Sequence, residues 1–322
     1  MVDLSLFKEA AHRWGMAGHI VIITHEKPDG DAIASLIALN VIIKTNSPAS
    51  ICLVNKDGVP PVFHFLPGVS DIQSDFIGGD ADLIITLDCG DIRRTGFGER
   101  LQQLVHHGIP LINIDHHGKN DLHRLATLNI VDQQAASTTH ILFNLSVALA
   151  IPLNPSLATV LLTGLYTDTG SFQHAVTTPE VLQIAAKLLA HGARLKDLHH
   201  HLTQSRPVPM LKLWGITLER MKVYANGLVV SVVTQQDLHK TGATEEDLAG
   251  VLTMLEATPV CRVVLLLSEL SDGTIKGSLR SNNSRVNVAK IAKVFGGGGH
   301  ERASGFVFPG TLKVDKKQWN VV

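Results

Sequence analysis

The stretch HIVIITHEKPDGDAIASLIALNVIIK, residues 19–44, decides the fold. Its opening residues form a β-branched run without polar alternation, which reads as a strand buried on both faces. Residues 31–44 read as a helix. Pro28 and Gly30 hold the intervening loop in a tight turn, with Asp31 where a helix N-cap would stand. The pattern repeats outward from there. Residues 49–55 (ASICLVN), 81–88 (ADLIITLD) and 109–115 (IPLINID) read as further strands, with helix-like segments such as GERLQQLVHHG between them. Strand–helix alternation of this kind predicts an α/β fold, a parallel sheet with helices on both faces.

Helical pattern continues from Ser137 to about Leu202. Residues 141–166 carry no charge and are long enough to cross a bilayer. Pro152, Asn154 and Pro155 break that run near its middle, so two buried helices joined by a proline turn are expected. TTPEVLQIAAKLLAHGA opens on a Thr-Thr-Pro cap and closes at Gly192, as a helix should. TQSRPVP (203–209) has the composition of a linker, which places the boundary near 205: a first domain over 1–204 and a smaller α/β domain over 205–322. In the second, LERMKVYANGLVVSVVT reads as a hairpin turning through a type I′ turn at Asn226-Gly227. CRVVLLLSEL, TIKGSLRS and GFVF read as strands and NVAKIAKVF as a helix.

A length of 322 residues fits two domains, each able to bury a core, and 45% hydrophobic residues exclude a disordered chain. A net charge of -1 argues against a surface that neutralises long stretches of phosphate backbone. Cys52, Cys89 and Cys261 have no CxxC spacing, so neither a disulfide framework nor a thiolate zinc site is indicated, and a reducing cytoplasm is expected. The N-terminus lacks the apolar core of a signal peptide. The chain reads as soluble.

Three of the strands run into metal-ligand residues: His25, Asp88, and Asp115-His116-His117. In an open parallel sheet, groups at the carboxyl ends of strands converge on the crevice where strand order reverses. Asp29 and Asp31 follow His25 in the turn, and Asp168 ends a helical pattern in LLTGLYTDTGSF. Each piece alone has a structural explanation, as a turn, a cap or a surface histidine pair. Together His25, Asp29, Asp31, Asp88, His116 and Asp168 offer two imidazoles and four carboxylates. That donor set suits manganese or a similar divalent ion better than zinc, and four carboxylates balance two such ions. His199-His200-His201 and His106-His107 have no carboxylate at ligand spacing and read as exposed or packing faces. Cys89 reads as a small buried neighbour, not a nucleophile.

His25-x-x-x-Asp29-x-Asp31, Asp88-Cys-Gly-Asp91, Asp115-His116-His117 and Thr167-Asp168-Thr169-Gly170 resemble the ordered motifs of DHH-family phosphoesterases. Gly296-Gly-Gly-Gly-His300-Glu-Arg-Ala-Ser-Gly305-Phe resembles the signature of the DHH-associated second domain. The resemblance implies two manganese ions. One would be held by His25, Asp29 and Asp88 and the other by Asp31, Asp88, His116 and Asp168, with Asp88 bridging. It also implies that His117 polarises the scissile phosphate or its leaving group while Asp115 orients the pair. Ile33-Ala34 stand where the family often has Gly, His140 where it has Glu in a Ser-Thr-x-Glu segment, and Ser304 where Ala is frequent.

Four glycines followed at once by His300 and a strand are oddly placed for a flexible linker, since glycines let backbone N–H groups close on a phosphate. No Lys-Ser/Thr follows, which excludes a nucleoside-triphosphatase loop. Arg280 ends a strand with a guanidinium suited to phosphate. By resemblance, Arg280, Ser281, Gly298, Gly299 and His300 bind a nucleotide or terminal phosphate across an interdomain cleft, so that the second domain measures substrate length.

The expected activity is hydrolysis of short oligoribonucleotides and of 3′-phosphoadenosine 5′-phosphate (pAp). Cyclic-di-AMP or linear-dinucleotide cleavage, pyrophosphatase activity and non-catalytic nucleotide sensing are the alternatives. Expected partners are these nucleotides and no membrane, with a homodimer left open.

Overall fold

The computed structural model describes residues 2–118, 121–204, 207–248, 250–315 and 318–321. The chain divides into two compact units, Met1–Ser205 and Arg206–Val322. Of the expected linker, residues 205 and 206 lie outside the described residues, and its end is already helical.

The first unit runs α1 (Leu4–Met16), β1 (His19–Thr24), α2 (Gly30–Asn46), β2 (Ser50–Val54), β3 (Ile72–Gln73), β4 (Leu83–Leu87), α3 (Gly98–His106), β5 (Leu111–Asp115), α4 (Asp121–Leu125), β6 (Leu128–Val131), α5 (Thr138–Ala148), α6 (Pro155–Asp168), α7 (Pro179–Ala190) and α8 (Leu195–His199). Its six strands pair in the order β3-β2-β1-β4-β5-β6, all parallel, as the alternation predicts. Successive side chains of a strand face opposite sides. Ile20 and Ile22 of β1 therefore enter the larger core with α1, α2, α5, α6 and α7, while Val21 and Ile23 pack on the other face with Leu101 of α3 and Leu122 of α4. α2 is apolar on all sides and is buried along nearly its whole length, as such a helix must be.

The uncharged run 141–166 forms α5 and α6, separated at the prolines and buried in the larger core. Among the described residues no helix is long and apolar enough to cross a membrane.

The second unit runs α9 (Val208–Glu219), β7 (Lys222–Val223), β8 (Leu228–Val233), α10 (Gln235–Thr241), α11 (Val251–Glu256), β9 (Val263–Glu269), β10 (Thr274–Arg280), α12 (Val288–Val294), β11 (Gly298–Gly299), β12 (Ala303–Pro309), β13 (Leu312–Asp315) and β14 (Gln318–Val321). Six strands form a mostly antiparallel sheet, β11-β12-β10-β9-β8-β7, in which β8 and β9 are parallel.

The expected hairpin needs correcting. Leu218 and Glu219 end α9, and the first arm is only Lys222–Val223. The turn is not type I′ either, because Gly227 alone of the Asn-Gly pair has positive φ, at 84°. Its N–H bonds the Tyr224 carbonyl at 2.9 Å, giving a longer loop closed by a left-handed glycine. The β13–β14 hairpin has no counterpart in the sequence reading.

One helix crossing controls the site described next. Where α6 meets α2 and α5, a Cβ on Gly164 would stand 2.2 Å from Asp31 Oδ1 and 2.4 Å from Thr139 Oγ1. Helix propensity favours Gly164→Ala by about 1 kcal/mol, but overpacking a core costs about 1–3 kcal/mol. The variant should therefore unfold at lower urea concentration than the parent. A higher midpoint would mean that the crossing has room to spare.

Candidate metal centre

β1 and β4 are neighbours from which the strand order runs outward in opposite directions, so the crevice of the sheet opens at their carboxyl ends. His25 follows β1, Asp88 follows β4, and Asp115 ends β5 ahead of His116 and His117. α2 starts in the same crevice and supplies Asp29 and Asp31, while α6 ends there at Asp168. Residues drawn from five elements converge on one rim.

Their donor atoms form three overlapping groups, each within 4.8 Å: His25, Asp29 and Asp88; Asp31, His116 and Asp168; and Asp88, Asp115, His116 and His117. Asp88 faces two ways. Its Oδ2 lies 3.6 Å from His25 Nε2 and its Oδ1 3.3 Å from His116 Nε2. Asp29 Oδ2 stands 3.8 Å from the same His25 nitrogen, and Asp168 Oδ2 3.4 Å from His116 Nε2. Asp115 is buried and acts on its neighbours. It accepts from His117 Nδ1 at 2.7 Å, from the His117 N–H at 3.0 Å and from the Gly90 N–H at 2.8 Å.

The N-cap of α2 is Asp29, not Asp31. Asp29 Oδ1 accepts from the N–H groups of Asp31 and Ala32, both at 3.0 Å. Asp31 is instead claimed by a helix over a hundred residues away in sequence: the first two N–H groups of α5, on Thr138 and Thr139, donate to it at 2.6 and 3.0 Å. Thr139 Oγ1 adds a bond at 2.6 Å, and Thr138 Oγ1 reaches Asp88 Oδ1 at 3.2 Å. Two helix N-termini thus point their partial positive charge at the acids. Sequence reasoning missed Thr138 and Thr139, although the Ser-Thr-Thr ahead of a helical run was their visible signal.

His140 finds its explanation here too. Ser137 caps α5 by accepting the His140 N–H at 3.0 Å, while His140 Nδ1 accepts the Ala136 N–H at 3.3 Å. The imidazole thus holds the residue before the cap, one position short of the cap N–H that a Glu would take in a capping box. The residue closes a helix end.

Electrostatics mark the cluster as short of positive charge. Burial, followed by repulsion from Asp88, pushes Asp31 up to about 7. Burial and the charges of Asp31, Asp88 and Asp29 push Asp168 up to about 9. Burial works against protonating His25 and His116, yet the surrounding carboxylates overrule it and raise both to about 10. Asp115 stays below the usual carboxylate range because contact with His117 outweighs its burial. Protons therefore occupy positions that divalent cations would take, and the residues present fit such ions. The backbone is strained around the same point. Of the five non-glycine residues with positive φ among those described, Lys27, Asp88, Ser171 and Phe172 flank the acids in sequence or belong to them.

The other singled-out residues lie elsewhere. Tyr166 Oη meets His199 Nδ1 at 3.0 Å, and His201 stacks on Phe65 with ring centroids 4.4 Å apart. His106 and His107 are exposed. Cys89 is fully buried, and burial pushes its thiol well up. Cys52, Cys89 and Cys261 are unpaired.

In the second unit Arg280 ends β10 and is exposed. Ser281 is buried, its hydroxyl donating to the Arg262 carbonyl at 2.6 Å and accepting the Asn283 N–H at 3.2 Å. His300 is exposed and closes a turn with Ala303 at 2.8 Å. The glycines before it differ. A Cβ on Gly297 would fall 2.1 Å from the Gly305 carbonyl, and Gly299 has φ 137° with Ser304 Cα 2.6 Å from its Cβ position, so the fold demands both. Gly298 has no positive φ, and a Cβ there would meet nothing within 4 Å. The fold gives no reason for glycine at that position.

Comparison with known proteins bears on what this rim does. The DHH family N-terminal domain matches residues 19–165 and the DHHA1 domain residues 225–318. The chain is 34% identical over 298 residues to a bifunctional oligoribonuclease and PAP phosphatase NrnA of Thermus thermophilus, covering 91% of this chain and 85% of that one. Identity to the Bacillus subtilis protein of the same description is 26% over 290 residues, covering 89% and 88%. A crystal structure of an exopolyphosphatase-related protein from Bacteroides fragilis matches with a TM-score of 0.84 at 25% identity, over 97% of this chain and 93% of that one. The chain belongs to the DHH family of phosphoesterases, in the group that joins a DHH domain to a DHHA1 domain.

Proposed function

We propose that the protein hydrolyses short oligoribonucleotides to mononucleotides and converts pAp to AMP and phosphate, with two divalent cations, manganese preferred. The relatives' descriptions supply the substrate class. The observation that carries the reading is Asp88, whose Oδ2 faces His25, the histidine that Asp29 also approaches, while its Oδ1 faces His116, the histidine that Asp168 also approaches. In this reading His25, Asp29 and Asp88 hold one ion, and Asp31, Asp88, His116 and Asp168 hold the other. When bound, the ions supply Lewis acidity toward water and the phosphoryl oxygens.

The chain's own residues do the rest. Asp115 ties down His117 Nδ1, so the other ring nitrogen is turned toward substrate, to polarise the scissile phosphate or return a proton to the leaving oxygen. Thr138 and Thr139 fix the carboxylates of Asp88 and Asp31 from behind. Arg280, the Gly298–Gly299 backbone and His300 take a second phosphate, with Ser281 holding the turn behind Arg280. A near-neutral chain suits substrates of a few nucleotides, since longer strands need basic grooves and stacking platforms. Three unpaired cysteines suit the reducing cytoplasm.

A manganese-supplemented assay over pApA, pAp and cyclic-di-AMP, with products resolved, tests the reading. AMP should form from the first two, and Asp88→Ala should lower that turnover by roughly a thousandfold or more. Near-normal turnover in the variant would refute the shared carboxylate, and preferential cleavage of cyclic-di-AMP would overturn the substrate assignment.

Stability should report on the cluster independently of turnover. In metal-stripped protein, Asp31, Asp168, His25 and His116 all hold protons more tightly folded than unfolded. Stability is then highest at low pH within the window from the usual carboxylate range to about 10, and falls as pH rises through it. The melting temperature in EDTA should drop from pH 6 to pH 9, and added manganese should raise it more at the higher pH. An EDTA profile that is flat or rising, with equal manganese gains at both ends, would speak against the charge-starved cluster.

Arg280→Ala should raise KM for pApA by roughly tenfold and leave hydrolysis of a simple aryl phosphate within about twofold. Equal losses on both substrates would remove the second phosphate site.

A further inference from the structure

The loop after β4 carries a cation that the reading above does not use. Asp88 (φ 58°) and Gly90 (φ 65°) turn this loop back on itself, and Arg94 follows in its next short turn. The Arg94 carbonyl accepts the Glu26 N–H at 2.6 Å, which ties the loop to the segment after His25 and needs no particular side chain. The guanidinium goes elsewhere. Its Nη1 lies 3.1 Å from the point where a Cβ on Gly90 would stand, and His117 Cγ lies 3.5 Å from the same point. Ring and guanidinium therefore share the space that this glycine leaves open.

Arg93, next in the chain, is exposed as Arg94 is, but it pairs with Asp91 at 3.3 Å. Among the described residues, Arg94 has no ion pair or side-chain hydrogen bond, although five aspartates stand in the neighbouring cluster. Its charge is available to an anion that enters between it and the metal centre.

We propose that Arg94 binds the scissile phosphate from the His117 side of the site and is a catalytic residue of the phosphoester hydrolysis proposed above, on which this inference rests. A guanidinium offers two parallel N–H donors to non-bridging phosphate oxygens. A negative charge developing there during transfer would strengthen both contacts.

Arg94→Ala, Arg94→Lys and Arg93→Ala are to be compared on pApA, with AMP affinity measured by calorimetry in calcium. Arg94→Ala should lose roughly 10- to 100-fold in kcat/KM and bind AMP correspondingly more weakly, a loss that persists at 0.5 M salt. Arg94→Lys should recover part of it. Arg93→Ala removes the same unit of charge and should stay within about twofold of the parent. Equal losses in the two alanine variants would reduce Arg94 to general charge attraction, and an unaffected Arg94→Ala would overturn the proposal outright. If the parent cleaves none of the nucleotides, the proposed function fails; AMP binding then decides the arginine alone, and unchanged affinity in Arg94→Ala overturns it.

Discussion

Mutual repulsion among carboxylates crowded at one sheet rim is the constraint on which this structure turns. Burying a charge without a partner is costly, and this rim gathers Asp31, Asp88, Asp115 and Asp168 with little access to water. The fold responds by aiming donors at them. α5 begins against Asp31, α2 begins against Asp29, and the loop after β4 gives the Gly90 N–H to Asp115. These contacts fix where each acid points but do not cancel the charge, as the raised Asp31 and Asp168 show. Backbone amides orient the site, and the remaining negative charge is left for cations.

That division explains why helices with few polar faces surround a polar site. α2, α5 and α6 bury mostly apolar or small side chains, and Asp31, Thr138, Thr139 and Asp168 stand at their site-facing ends. Gly164 lets α6 approach until it touches Asp31 and Thr139, and a Cβ on Gly30 would likewise meet Thr167 at 2.4 Å. A close-packed interior transmits small displacements. The position of Asp31 is thus set by the packing of three helices as much as by its own backbone.

Much of this was legible along the chain, for a physical reason. Parallel strands buried on both faces read as mostly apolar runs without regular alternation, so β1, β4 and β5 declare themselves, and whatever follows them must lie at one rim. His25, Asp88 and the Asp115–His117 segment could be placed without seeing a contact. The misreadings have causes as well. Asp29 and Asp31 flank a glycine with equal claims to cap α2, and the choice falls to Asp29 because distant amides of α5 occupy Asp31. β3 spans two residues and β6 four, too short for any periodicity. The arm before Asn226-Gly227 is cut short because α9 continues through Glu219, a tertiary choice that hairpin chemistry does not encode.

In the second unit, glycine content alone separates nothing, because a fold can demand glycine as firmly as a ligand can. Gly297 and Gly299 are accounted for by neighbours that leave no room for a side chain. Gly298 lies between them on an edge strand, with open space where its Cβ would be. A side chain would fit there, so packing does not account for this glycine. Arg280 and His300 are exposed beside this glycine run in sequence or strand order. In the first unit, the missing side chain of Gly90 leaves room for a guanidinium and an imidazole. A chain of net charge -1 carries its exposed cations as local groups, not as a broad basic surface.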